Sequence, residues 1–177
     1  MTKWTLLLAI APVLAACTTA DRNAPAKGVT PAPMVNLPRY MGDWHVIANI
    51  PYFAEKNCFG SIERYKLLPD GRIDTVFLAK KGGLDGKPFE ARSVAHVTNP
   101  KNNAEWQIRF LGGLVRIPLT ILYVSPDYQS AAVATPDRKL AWIFSRERTI
   151  SPADYAKAVE VLKTNGIPTE KLALVPQ

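Results

Sequence analysis

The feature that most constrains this chain is a succession of short runs in which apolar and polar residues alternate. The runs are Trp44–Ile50, Ser61–Leu67, Arg72–Ala79, Glu90–Val97, Glu105–Phe110, Ile117–Val124, Ala131–Ala134 and Leu140–Ser145. Turn residues separate them: Pro69-Asp70-Gly71, Gly82-Gly83, Asp85-Gly86, Asn99-Pro100, Gly112-Gly113, Pro126-Asp127 and Pro136-Asp137. Strands at this regular spacing predict an all-β domain, either a sandwich or an up-and-down antiparallel barrel. One helix follows the strands. Ser151 caps it, Pro152 occupies its first turn and Asp154 suits the positive end of its dipole. Tyr155, Ala158, Val159 and Leu162 recur at three- and four-residue steps, giving one apolar stripe to pack on the sheet. Asn165-Gly166 ends the helix, and Leu172–Val175 has the character of a last short strand.

Alternation also says what the strands enclose. Trp106, Ile108 and Phe110 share one face, while Gln107 and Arg109 take the other. Ile73, Thr75 and Phe77 share a face opposite Asp74 and Val76. A sheet with one apolar face is half-buried. Eight such strands closed on themselves leave an interior that either fills with side chains or holds one small ligand, and alternation leaves both open.

At 177 residues and 47% hydrophobic content, the chain suits one domain with a tail. Its net charge is +7, with the basic residues scattered and no basic run of five. That pattern suits an anionic membrane surface and argues against nucleic acid as a partner. The start of the chain reads as an export signal over residues 1–16: Lys3, then the apolar stretch Leu6–Val13, then small residues before Cys17. Its apolar run is too short to cross a bilayer of about 30 Å as a helix. Residues 18–37, rich in Ala, Pro and Thr, read as a flexible tether.

Leu14-Ala15-Ala16-Cys17 resembles the lipobox of bacterial lipoproteins. The resemblance implies that Cys17 carries diacylglycerol, that the signal is removed and that the new amino group is acylated. Several acyl chains hold a protein on a membrane where one is marginal. Thr18 stands where that group's inner-membrane retention signal is Asp. The implied location is therefore the outer membrane, lipid-anchored and facing the periplasm. With Cys17 lipidated, Cys58 has no partner in the chain for a disulfide.

Gly42-Asp43-Trp44 entering the first strand is similar to the first lipocalin motif, Gly-x-Trp. Asp127-Tyr128 resembles the second motif, with Pro126 in place of its usual Thr. Trp142-Ile143-Phe144-Ser145-Arg146 resembles the third, in which an arginine closes the last strand. The resemblance assigns residues 38–177 to a lipocalin domain, nearest the bacterial outer-membrane lipoprotein lipocalins related to apolipoprotein D. It implies an eight-stranded up-and-down barrel with the C-terminal helix packed outside. Gly42, Trp44, Asp127, Tyr128 and Arg146 would then be structural, with the Arg146 guanidinium over the Trp44 indole. Parity carried from Trp44 and Arg146 predicts a cavity lined by Val46, Ala48, Tyr65, Leu67, Ile73, Thr75, Phe77, Trp106, Ile108, Phe110 and Trp142, with Phe144 on the same track. Fatty acids and lysophospholipids are the ligands the family implies, with no cofactor. Arg109 and Arg116 flank the Leu111–Leu114 turn, where one end of the barrel would lie.

Catalytic residues are hard to find in the sequence. His45 and His96 have no metal-ligand neighbours at useful spacing, and no nucleophile elbow, phosphate loop or CxxC is present. The expectation is a binding protein with neither a catalytic nor a metal site. Two alternatives stay open. One is a packed barrel whose surface binds an envelope partner. The other is an enzyme using Cys58, since the prostaglandin D synthase branch of lipocalins uses a cavity cysteine as nucleophile.

Overall fold

The computed structural model describes residues 28–177. Its order is α1 (Leu37–Tyr40), β1 (Gly42–Asn49), β2 (Cys58–Leu67), β3 (Ile73–Lys81), β4 (Lys87–Val97), β5 (Glu105–Phe110), β6 (Val115–Val124), β7 (Ser130–Ala134), β8 (Ala141–Ser145), α2 (Pro152–Thr164) and β9 (Ala173–Leu174). Each of β1 to β8 pairs antiparallel with its neighbour in sequence, and β1 also pairs with β8, so the sheet closes into an eight-stranded up-and-down barrel. Closure runs through His45, which pairs with Ile62 on one side and Ser145 on the other. The short β9 adds to β1 through Ala48↔Leu174 and Asn49↔Ala173.

Two apolar clusters divide the core. The inner one fills the lower barrel with Tyr40, Trp44, Val46, Ile73, Trp106, Ile121 and Phe144. The outer one lies between the barrel wall and α2, where Ala158 and Leu162 are buried against Ile47, Ala48, Leu122, Ala132 and Ile143. Ser151 caps α2 by accepting from Asp154 N at 3.0 Å, as its sequence indicates.

The described part of the expected tether is not free chain. Ala32 and Val35 are buried in the inner cluster. Ala32 N donates to Ile121 O at 2.9 Å, and Val35 N to Asn102 O at 2.8 Å. Residues 28–36 therefore run along the barrel, and the packed structure begins earlier than residue 38. Burial of two small apolar side chains and two satisfied amides outweighs a Pro-rich composition that by itself suggests a linker.

Register shifts interrupt three pairings, β1–β8, β2–β3 and β6–β7, and the first bears directly on the cavity. Between Val46 and Ala48 the β1–β8 pairing shifts by a residue, a β-bulge at Ile47. Val46 stays inside opposite Phe144, whereas Ile47 and Ala48 both face α2. Asn49, opposite Trp142, takes the inward position that strict parity assigns to Ala48.

Candidate functional site

The barrel is shut at the end where β1 begins. Trp44 is fully buried there, and its Nε1 donates to Tyr40 O at 2.8 Å. The Arg146 guanidinium carbon stands 3.7 Å from the centre of the Trp44 ring. Its nitrogens donate to Asp43 O and Arg39 O at 2.8 Å each, and more weakly to Tyr40 O and Tyr128 O. A planar guanidinium with five N–H groups is the side chain that can satisfy several carbonyls while stacking on an indole. Gly42 adopts φ +97°, and a Cβ there would stand 3.3 Å from an Arg146 nitrogen, so both its backbone and its neighbour favour glycine. Asp127 Oδ1 accepts from Ser125 Oγ at 2.6 Å and holds the β6–β7 turn; this hydrogen bond lowers the carboxyl pKa. The Tyr128 hydroxyl accepts from Asn36 N at 2.9 Å, and Arg39 lies over its ring. All five motif residues thus stand at the closed end.

Above this closure four rings form a floor. Tyr40 lies 5.0 Å from Trp44 and 5.8 Å from Tyr65, and Trp106 meets Tyr40 and Tyr65 edge-on at 5.6 and 5.4 Å. Such tilted and edge-to-face contacts add to the burial of the rings themselves.

The cavity opens above the floor. It contains about 560 Å³ of empty space, mouth included, and is narrow: little of that space stands more than a water radius from a wall. Tyr65, Thr75, Phe77, Ile108, Phe110 and Trp142 line it, together with Phe144, as parity predicts. The remaining predicted lining residues lie elsewhere. Val46, Ile73 and Trp106 are interior but packed, below the void or beside it. Leu67 ends β2 and is 37% exposed. Ala48 faces α2 because of the bulge. Ala91, Ser93, Ile117, Leu119 and Val133 also line the cavity. They continue the inward faces of β4, β6 and β7.

The lining has two characters. Ile108, Phe110, Ile117, Leu119, Val133 and Phe144 make an apolar wall. Facing it is a polar seam from β2, β3, β4 and the β1–β2 loop. At its lower end the Thr75 and Ser93 hydroxyls hydrogen-bond each other. Higher up stand Glu63 and Glu55. Glu55 comes from the Phe53–Glu55 helical turn and accepts from Trp142 Nε1 at 3.1 Å, from Asn49 Nδ2 and from Tyr52. Burial raises its pKa, opposed by those donors and by Lys81. Glu63 is half-buried on the cavity wall and has no donor among the described residues. Burial, with the nearby Glu55 charge, pushes its carboxyl up to about 8. Burial and Glu55 also push the Tyr52 hydroxyl up.

The sequence offered a signal for Glu63: it stands two residues before Tyr65 and so shares its inward face. A glutamate in a strand ordinarily marks the solvent side, and that expectation hides it. Glu55 lies in a loop, where strand parity gives no direction.

Among the described residues no lysine, arginine or histidine lines the cavity. Arg109 stands on the outer face with Arg92 and His96, and Arg116 is exposed. Both belong to strand ends at the open mouth, but neither reaches the interior. The mouth loops expose Phe53, Leu111 and Leu114 at 89%, 75% and 87%. Cys58 begins β2 and lines an outer groove with Asn49, Lys56 and Leu174, beside the cavity but not in it. Among the described residues no three His, Cys, Asp or Glu side chains gather in a way that would hold a metal. Cys17 lies outside the described residues.

Residues 35–177 match the family described as the lipocalin-like domain. The chain is 34% identical to temperature-induced lipocalin-1 of Arabidopsis thaliana, over 81% of this chain and 80% of that protein. It is 28% identical to outer membrane lipoprotein Blc of Citrobacter freundii, over 95% and 97%. Among solved structures, insecticyanin from the tobacco hornworm superposes with a TM-score of 0.66, at 21% identity over 84% of each chain.

Proposed function

Because the chain belongs to the lipocalin family, we propose that it is a membrane-anchored carrier for lipid storage or transport in the cell envelope. Its ligand is a small apolar or amphipathic molecule, a fatty acid or lysophospholipid by class, held in the barrel. The observation that carries this reading is the cavity itself: an apolar wall and a polar seam above a closed aromatic floor. Binding is partition. Each methylene that leaves water for the wall of Ile108, Phe110, Ile117 and Leu119 contributes about 0.8 kcal/mol. The narrow section suits one extended chain better than a fused-ring system, and the Tyr65–Trp106 floor limits the length of chain that can enter. The lipobox-like tetrad ending in Cys17 supports the anchor, and the likeness to a protein named an outer membrane lipoprotein supports the location.

Titration with single-chain amphiphiles of increasing length, read by tryptophan fluorescence, tests this. Trp142 lines the cavity, so binding should quench emission saturably at one ligand per barrel. Affinity should rise with chain length and then level off at the floor. Absence of saturable binding for every chain length would leave the packed-barrel, surface-partner reading in its place.

A further inference from the structure

On the reading of the cavity as a ligand site, we propose that it selects an amphiphile whose head carries a cationic nitrogen, held at Glu63 and Glu55 with its chain against the facing apolar wall.

The polar seam is acidic, and no basic side chain among the described residues lines the cavity to offset it. Glu55 is already engaged by Trp142, Asn49 and Tyr52, which stabilise it as an anion. Glu63 lines the void beside it and has no donor among the described residues. A buried acid without a partner is unfavourable whether it sheds its proton or keeps it unshared. An ammonium group supplies both the charge and the N–H donors that Glu63 lacks. Phe77, Trp142 and Phe144 line the same space, and aromatic rings attract a cation placed over their faces.

A carboxylate head meets the opposite situation. It would bring another negative charge beside two acidic groups in a cavity that no basic side chain lines among the described residues. Lys81, whose charge acts on Glu55, already donates to Ala54 O at 3.3 Å and Lys56 O at 3.1 Å. A fatty acid is therefore confined to a pose with its head outside the seam. Binding a cation should also draw the proton from Glu63, since a positive charge beside a carboxyl lowers its pKa.

A long-chain amine and the ethanolamine head of a lysophospholipid present the same ammonium chemistry, and matched pairs separate them. The full chain carrying Cys17→Ser is titrated at pH 7, below the critical micelle concentrations, with dodecylammonium against dodecanoate. It is also titrated with lysophosphatidylethanolamine against lysophosphatidylglycerol of equal chain length. Dodecylammonium should bind about tenfold or more tightly than dodecanoate, and Glu63→Gln should reduce that ratio to about threefold or less. Preference for the ethanolamine lipid as well would assign the head to a phospholipid; equal binding of the two lysolipids would assign it to a simple amine. Dodecanoate binding as tightly as dodecylammonium overturns the selection while leaving the cavity a ligand site. No saturable binding of any of the four overturns the cavity reading itself. The wild-type comparison decides the question even if Glu63→Gln fails to fold.

Discussion

Glu63→Gln isolates the energetic consequence of an unpartnered acid inside the barrel. The substitution nearly preserves shape and removes the titration. In the folded protein the carboxyl is pushed up to about 8 from an ordinary value of 4.5. Between those two values the folded state binds the proton that the unfolded state has released. Stability must therefore fall as pH rises across that window, with no penalty below about pH 4.5 and the whole of it present above about pH 8. At 1.36 kcal/mol per pKa unit the penalty is about 5 kcal/mol, an upper figure for a group whose cavity opens at a mouth; about 2–5 kcal/mol is the working range. For a chain of this size 1 kcal/mol moves Tm by roughly 2–4 °C, so the variant should melt about 5–15 °C above wild type at pH 9. At pH 4.5 the two should agree within about 2 °C. Thermal melts followed by far-UV circular dichroism from pH 4.5 to 9 give the difference curve directly. The raised pKa of Glu55 leaves a residual slope of the same sign in both proteins, which cancels in the difference. A Tm difference independent of pH, or a variant less stable than wild type at pH 9, would refute the reasoning.

The closed end and the outer wall give further tests. Trp44→Ala should lower stability by about 3–5 kcal/mol in urea denaturation, as for other buried aromatics. Arg146→Lys should lower it by about 1–3 kcal/mol despite keeping the charge, because an ammonium cannot span the Asp43 and Arg39 carbonyls while covering the Trp44 ring. Ala48→Phe should destabilise by about 1–3 kcal/mol through overpacking against α2, yet leave ligand affinity unchanged in the fluorescence titration. Cys17→Ser should abolish incorporation of radiolabelled palmitate in cells.

The fold was legible because its local signals agree. Every predicted strand appears within a few residues of its expected ends, and α2 spans Pro152–Thr164 between the Ser151 cap and the Asn165-Gly166 stop. Turn residues and period-two runs act locally, so their meaning survives in the absence of structure. The five motif residues were legible for a different reason. Each is tied to the closed end by a specific demand: a left-handed glycine, a buried indole, a turn carboxylate, a clamped ring and a guanidinium roof.

The interior was only partly legible, because parity counts residues and a bulge adds one. Ala48 is inward by counting from Trp44 and outward in the barrel, since Ile47 and Ala48 together turn their side chains to α2. The displaced position passes to Asn49, whose amide donates to Glu55, so the bulge sets a polar group against a cavity-lining carboxylate where counting places a methyl. A further bulge between Ile121 and Tyr123 turns Leu122 toward α2 in the same way. Both irregularities lie under the helix, and neither has a glycine or proline to mark it. Glu63 was hidden by chemistry rather than by geometry. Its parity with Tyr65 is unbroken, but a hydrophobic pattern assigns a carboxylate to water. The position makes sense only once Glu55 and the facing wall are in place around it. The sequence therefore reveals the container more readily than its selectivity. The container follows from residues that obey the hydrophobic pattern, and the selectivity from the residue that departs from it.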